Sequence, residues 1–316
     1  MTFAVSGRLS PASGAPEAYP NRQITIVVPF SAGGATDVLA RLIAERLHER
    51  WSQPVIVENR LGASGNVGAA AIATAPPDGY RLLMGAIGTN AVNASLFANM
   101  PYNIETDFAP VTQVARLPMV LAIHPALPVA NVAELIALAK EKPGALNHGS
   151  AGKGASQHLA CLLFESMTGT KFQQVFYRGA AAMLPDLLTG RIQLSFGDMA
   201  SLLPSIKEGA LKPLAVTTKA RSPLLPNVPS ISESGVAGFD ASAWYGVFAP
   251  AKTSPDIVRQ LNNGIITALK TPDMLQRLET LGAESVGSSP EEFAAFVKSE
   301  IARWGPIVKA AGVTAE

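Results

Sequence analysis

An excess of either charge is what this sequence most usefully lacks: 25 Lys and Arg stand against 24 Asp and Glu over 316 residues, a net of +1. No overall field exists to hold DNA, RNA or an anionic membrane surface, so nucleic-acid binding drops out. Cysteine is almost absent. Cys161, the single one, excludes an intrachain disulfide and a thiolate metal cage within one chain, and its apolar helical surroundings read as those of a small buried hydrophobe. No stretch approaches the roughly 18 uncharged apolar residues of a membrane-spanning helix. The four histidines, His48, His124, His148 and His158, show no His-Glu-x-x-His spacing, so a zinc hydrolase lacks its ligands. No Gly-x-Ser-x-Gly elbow occurs, and Ser64 and Ser150 sit in loops without a recognisable base partner.

What is present is 48% hydrophobic residues, 16% charged, 27 Gly and 24 Pro: a globular α/β composition with many tight connections, in a chain long enough for two moderate cores. Residues 1–19 hold Arg8, small residues around Ser13 and Gly14, and no long apolar run. A complete secretory signal is not legible there, and the segment reads as a disordered lead or signal remnant outside the fold.

From Ile24 the pattern alternates. Strand Ile24 to Val28 is followed by a glycine turn and an amphipathic helix with Leu39, Leu42, Ile43 and Leu47 on one face. Strand Val55 to Glu58, a Gly-rich loop, a helix to Ala75, a Pro-Pro-Asp-Gly turn and strand Arg81 to Gly85 repeat the unit. Such alternation implies a parallel sheet flanked by helices. A second series comprises Met119 to His124, helix Val132 to Lys140, loop His148 to Ala155, helix Ser156 to Met167, strand Gln174 to Tyr177 and helix Ala180 to Thr189. Strands Ile192 to Phe196 and Leu214 to Thr217 follow. Strand Trp244 to Ala249 then leads into three helices, Asp256 to Lys270, Pro272 to Leu281 and Pro290 to Lys309. The expected architecture is a chain that crosses to a second domain and returns: residues 20–118 with 241–316 as domain I, 119–240 as domain II, and Met119 to His124 and Trp244 to Ala249 as the crossings.

Four loops fit anion chemistry, since ligands of parallel α/β domains bind beyond the carboxyl ends of strands, at helix N-termini with unpaired N–H groups. Pro29 to Asp37 offers Gly33 and Gly34 for close backbone approach and Ser31 and Thr36 as hydroxyl donors; its plain alternative is a turn with Thr36 or Asp37 as helix cap. Gly62 to Gly68 has the spacing Gly-x-x-Gly-x-x-Gly rather than the dinucleotide fingerprint, and no acidic residue follows strand Arg81 to Gly85 to hold a ribose. Ala86 to Asn90 reads either as a plain turn or as a loop that adds Thr89 and backbone donors. Gly149 to Ser156 resembles a phosphate loop only superficially: Asn147 occupies the position of its first glycine, and Gly154 follows Lys153 where Ser or Thr is required. Ser150 and Ser156 can instead grip a carboxylate from the opposite side. Asp198 reads as a helix cap before it reads as a ligand contact.

Pro29 to Asp37, Glu58-Asn59-Arg60 with Gly62 to Gly68, Pro77-Asp78-Gly79-Tyr80, Tyr177-Arg178-Gly179 and Tyr245 to Pro250 together resemble the substrate receptors of tripartite tricarboxylate transporters, in order from about Tyr19 onward. The resemblance implies a type II periplasmic binding-protein clamshell, α/β, with two crossing hinge strands, a periplasmic location, no cofactor and no catalysis. It implies a small mono- or dicarboxylate between the domains and, as partners, the membrane permease subunits of the transporter, with the receptor a monomer. Residue by residue, Ser31, Gly33, Gly34 and Thr36 face the cleft from one domain, with Gly65, Asn66 and Thr89 nearby. Ser150, Ala155, Ser156 and His158 face it from the other. Tyr177, Gly179 and Ala180 line the far end, where Asp198 reads a polar or amino substituent. Phe30, Asp37 and Gly88 complete the set. Where the family has two glycines and a proline after the strand ending at Tyr177, this chain has Gly179-Ala180-Ala181-Ala182. The competing readings are a ligand sensor with the same cleft and a dinucleotide-dependent α/β enzyme.

Overall fold

The computed structural model describes residues 19–314. Residues 1–18 of the expected lead lie outside the described residues. Tyr19, which the same expectation set outside the fold, packs edge-on against Trp51 and Tyr80 and donates its hydroxyl to the Gly79 carbonyl at 2.7 Å.

The central strand of the first region is apolar but for Thr25, as a strand covered on both faces is expected to be. Strand β1 (Ile24–Val28) is wholly buried between β2 (Val55–Asn59) and β3 (Arg81–Ala86), both parallel to it. Helix α1 (Ala35–Trp51) buries Leu39, Leu42, Ile43 and Leu47, the face expected from their spacing. The short helix α2 (Asn66–Ala73) follows the Gly62–Gly65 turn. Residues 86–90, expected as a plain turn, instead enter a buried π-helical turn, Gly88–Val92, continued by α3 (Asn93–Leu96).

The centre of the molecule is β4 (Phe108–Ile123), 16 residues long, of which only the end from Met119 was expected. Its first part, residues 108–118, pairs antiparallel with β9 (Ser242–Pro250), and Ala115 and Arg116 pair with β10 (Glu284–Ser285). Its last part, residues 119–123, pairs with β7 (Leu194–Asp198) and β8 (Lys212–Val216). Strands β5 (Asn147–Ser150) and β6 (Gln173–Phe176) lie parallel beyond β7, giving the order β2-β1-β3-β9-β4-β7-β5-β6. His148 therefore stands in a strand, where a loop was expected.

Helices α4 (Val132–Glu141), α5 (Ser156–Thr168), α6 (Ala180–Leu188) and α7 (Met199–Lys207) cover the second region of sheet. Helices α8 (Pro255–Leu269), α9 (Pro272–Thr280) and α10 (Pro290–Ala310) return to the first. Sequence marks these starts: Asn131 and Ser254 cap α4 and α8, and Ser289 with Glu292 forms a reciprocal capping box at α10. Gly190, at φ +75°, takes the left-handed position after α6.

One apolar cluster covers the outer face of the first region, around Ile26, Leu47, Val247 and Leu261. A smaller one, around Met183, Leu187 and Leu202, covers the second. The largest runs through both, joining Phe164, Phe196 and Phe239 to Trp244, Phe248 and Phe293. Within it Trp244 and Trp304 both donate their indole N–H to Glu300 Oε2, each at 2.9 Å, which satisfies a carboxylate that burial alone would penalise.

Candidate functional site

A cavity of about 240 Å³ lies where loops from the two regions of sheet meet. From the first region it takes Phe30 and Thr36, Ser64, then Ala86, Ile87 and Gly88, with Asn93 and Tyr245 behind them. The second region contributes Ala151 to Gln157 and Asp198.

The first wall is held by polar networks. Asp37, the third residue of α1, accepts from the Gly33 N–H at 2.9 Å, from Arg41 through both oxygens and from Asn59 Nδ2. Burial pulls its pKa upward, but these donors outweigh it and hold the carboxyl below its ordinary value. Gly34 occupies the cap position of α1 with no side-chain bond, so the expectation of Thr36 or Asp37 as N-cap is corrected: Asp37 folds the turn back from inside the helix. The exposed stretch Ser31–Gly34 joins Phe30 to Thr36 at the edge of this wall, and neither Ser31, Gly33, Gly34 nor Asp37 lines the cavity.

The Gly62–Gly68 loop packs under the first. A Cβ at Gly65 would meet Thr89 at 2.6 Å and Phe30 at 3.2 Å, and one at Gly68 would meet the Arg60 carbonyl at 2.8 Å. These glycines permit loop-on-loop contact. Asn66 is buried, its Oδ1 accepting from Asn93 Nδ2 at 2.6 Å and from the Tyr102 hydroxyl at 2.9 Å. Thr89 turns inward, its hydroxyl shared between the Ala86 backbone and Asn90. Gly65, Asn66 and Thr89 thus support the wall without reaching it, while Gly88 reaches it.

In the second wall, helix α5 directs its N-terminus into the cavity with Ala155 as cap and Ser156 and Gln157 as first residues, so its unpaired N–H groups and positive dipole end face the space. His158 lies one residue further on and is fully buried. Its Nδ1 accepts from the Gly154 N–H at 3.1 Å, and its ring meets Phe176 edge-on at 5.0 Å. Burial, with Lys153 nearby, pushes its pKa down to about 4. Ser150 is buried behind the loop, and His158 holds that loop's shape rather than the ligand space.

Tyr177 donates its hydroxyl to Asp186 at 2.8 Å, and the Gly179 N–H donates to the Ala151 carbonyl; neither these two nor Ala180 line the cavity. Asp198 does stand at the start of α7, yet makes no cap bond. Its Oδ2 accepts from Gln157 Nε2 at 2.8 Å, and burial, opposed by that bond, pushes its pKa up to about 6. Burial and then the Asp198 charge raise that of Tyr245, on the facing strand. Among the described lining residues Lys153 alone is a cation and Asp198 alone an acid.

Of the expected residues the cavity therefore gathers Phe30, Thr36, Gly88, Ala155, Ser156 and Asp198. It adds Ser64, Asn93, Gln157 and Tyr245, which sequence reasoning did not select. Gln157 was one residue from a chosen position. Asn93 carries no local motif, and Tyr245 opens a motif that was read only as strand; they arrive through the π-turn and through the β3–β9 register, which sets Ala86 opposite Tyr245.

A family model described as the tripartite tricarboxylate transporter family receptor, TctC, matches residues 39–313. The chain belongs to that family. Three solved structures of high similarity agree. One is R. palustris Rpa4515 with adipate: 41% identity, TM-score 0.86, covering 94% of this chain and 99% of that one. The periplasmic binding protein BugD has 34% identity and TM-score 0.83, over 94% and 100% of the two chains. MatC from Rhodopseudomonas palustris with bound malate has 33% identity and TM-score 0.83, over 92% and 100%. The expected periplasmic binding-protein fold is thus the TctC fold found here, and the TctC family is one of receptors. No helix among the described residues is long and apolar enough to cross a membrane.

Proposed function

We propose that the protein is an extracytoplasmic receptor that closes on a small mono- or dicarboxylate and hands it to the permease subunits of a tripartite membrane transporter. The observation that carries this reading is the composition of the cavity: the α5 N-terminus, the hydroxyls of Thr36, Ser64 and Ser156, and Lys153 give it donors from both sides. Such a set neutralises one carboxylate without an arginine clamp. The carboxylates bound by the R. palustris relatives, adipate and malate, support the same chemistry.

On this reading the molecule divides as residues 20–118 with 241–316 and residues 119–240. Strand β4, which pairs in both regions, and the segment at Ala241 that leads into β9 cross between the parts as the hinge, and the ligand favours the closed state because only there do both sets of donors reach it. The receptor works as a periplasmic monomer. Ser31, Gly33 and Gly34 form the lip of the first wall, and Tyr177, Gly179 and Ala180 buttress the second. Asp198 meets whatever the ligand carries away from its gripped carboxylate.

Thermal shift against C3 to C6 mono- and dicarboxylates is the direct test, since native-state binding raises the melting temperature. At least one acid is expected to do so, and Ser156→Asp, which sets a carboxylate at the α5 N-terminus, is expected to abolish the shift. Stabilisation by no acid in the panel overturns the reading.

A further inference from the structure

Among the described residues that line the cavity, Asn93 alone holds a buried side-chain polar atom without a partner. Its side chain is fully buried, and its Nδ2 is occupied twice, by Asn66 Oδ1 at 2.6 Å and by the Ser64 carbonyl at 3.2 Å. Those bonds fix which end of the amide is nitrogen and which is oxygen. Its Oδ1, by contrast, is buried with no partner. The atom sits at the seam of the two walls: a Cβ at Gly154 would lie 3.6 Å from it, and one at Gly88 3.8 Å. Both glycines line the cavity, and neither position carries side-chain atoms that would cover the oxygen.

An unpaired acceptor in such a place costs free energy unless something supplies a donor. A carboxylate cannot, because an ionised carboxylate only accepts. The second wall repeats the theme, since Asp198 also offers an acceptor, with Oδ2 engaged by Gln157 and the carboxyl facing the cavity. An alkyl diacid brings no donor to Asn93 Oδ1; a hydroxyl or ammonium group on the acid does.

We infer that the ligand is a hydroxy- or amino-substituted carboxylic acid, and that Asn93 Oδ1 is the acceptor that selects it over the unsubstituted acid. This rests on the carboxylate reading above and narrows it. Specificity follows from an asymmetry: a site built to bond an O–H or N–H rejects the analogue lacking it far better than an apolar site rejects an added group. Orientation is assigned as well, because the Asn66–Asn93–Tyr102 network holds the Oδ1 in place before any ligand arrives.

The experiment is titration calorimetry on the full chain with matched acids from C3 to C6, each as parent, 2-hydroxy and 2-amino form. A substituted acid is expected to bind at least tenfold more tightly than its parent. In Asn93→Ala the ratio between parent and substituted acids is expected to fall to about threefold or less, whatever happens to the parent's own affinity; a thermal melt of the variant verifies that it is folded. Parent acids that bind as tightly as their substituted forms overturn this inference alone and leave the carboxylate reading standing. A gap that survives in folded Asn93→Ala overturns the assignment to Asn93. Binding of no acid removes both readings together. The wild-type comparison stands even if the variant fails to fold.

Discussion

The two walls of the cavity are built on opposite electrostatic plans. The first is fixed by hydrogen bonds among its own groups: an ionised Asp37 among three donors, and a neutral network of Asn66, Asn93 and Tyr102 that leaves Asn93 Oδ1 over. The second is fixed by two histidines that burial keeps uncharged and by a carboxyl, Asp198, that burial makes easier to protonate. His148 is wholly buried, with Nδ1 2.8 Å from Gln174 Oε1, and its pKa is pushed down to about 3, chiefly by burial; His158 behaves likewise, and Asp198 is displaced upward. Mild acid therefore acts on the second wall while the first stays as it is. One side of the cavity is a fixed template, and the other titrates.

The largest test of that contrast is acid itself. A histidine with a depressed native pKa binds its proton more readily unfolded, so its contribution to stability is complete above pH 6.5 and is lost as pH falls toward the native value. Each costs somewhat over ~1 kcal/mol per pH unit, and Asp198, raised in the native state, opposes them below its value of about 6. Chemical denaturation is expected to show a net loss of roughly 2 to 3 kcal/mol between pH 6.5 and 5. His148→Gln and His158→Gln should each flatten the slope, and an unchanged slope in the double variant would remove the contrast.

Asp37→Ala should break the first wall instead, leaving the Gly33 N–H, Arg41 and Asn59 without their acceptor at roughly 2 kcal/mol. Its denaturation curves should shift equally at pH 7 and pH 5, where histidine variants shift unequally. Asp198→Asn should stabilise the protein by about 1 to 2 kcal/mol at pH 7, where the native state otherwise keeps a buried carboxylate ionised, with the gain vanishing near pH 4. The smallest effect belongs to Cys161, buried with its thiol pKa raised. Thiol reagents should leave it unmodified in native protein and label it fully in denaturant, in contrast to a cysteine placed at exposed Ser31.

Legibility in the sequence follows the same division of causes. Strand β1, helix α1 and the three C-terminal helices are local statements, made by periodicity and caps, and they lie within a residue or two of where those signals put them. The first part of β4 was not legible. Pro110, Thr112, Gln113, Arg116 and Pro118 break any alternation, and the strand exists because β9 pairs with it through two bulges. His148 stood in what looked like loop because Asn147-His148-Gly149-Ser150 has no β-branched residue, yet β6 and β7 pair with it on both sides. At the site, glycine loops pointed to the right segments. They did not show which atoms face inward: Thr89 and Asn66 turn away, whereas Asn93 and Tyr245, distant in sequence, turn toward the space.

The membership of β9 in the first region of sheet has a consequence for how the protein comes into being. Strand β3 has β1 on one side and β9 on the other, and residues 108–118 of β4 pair with β9 and β10. During synthesis, β1 to β3 leave the ribosome with an open edge at β3 that stays bare until residues 242–250 emerge. Residues 119–240 contain all the partners of β5, β6, β7 and β8, so that part can pair its strands while the earlier part waits. The portion of the chain made first is thus the last to be finished, and during that interval its uncovered strand is the surface a chaperone would have to shield.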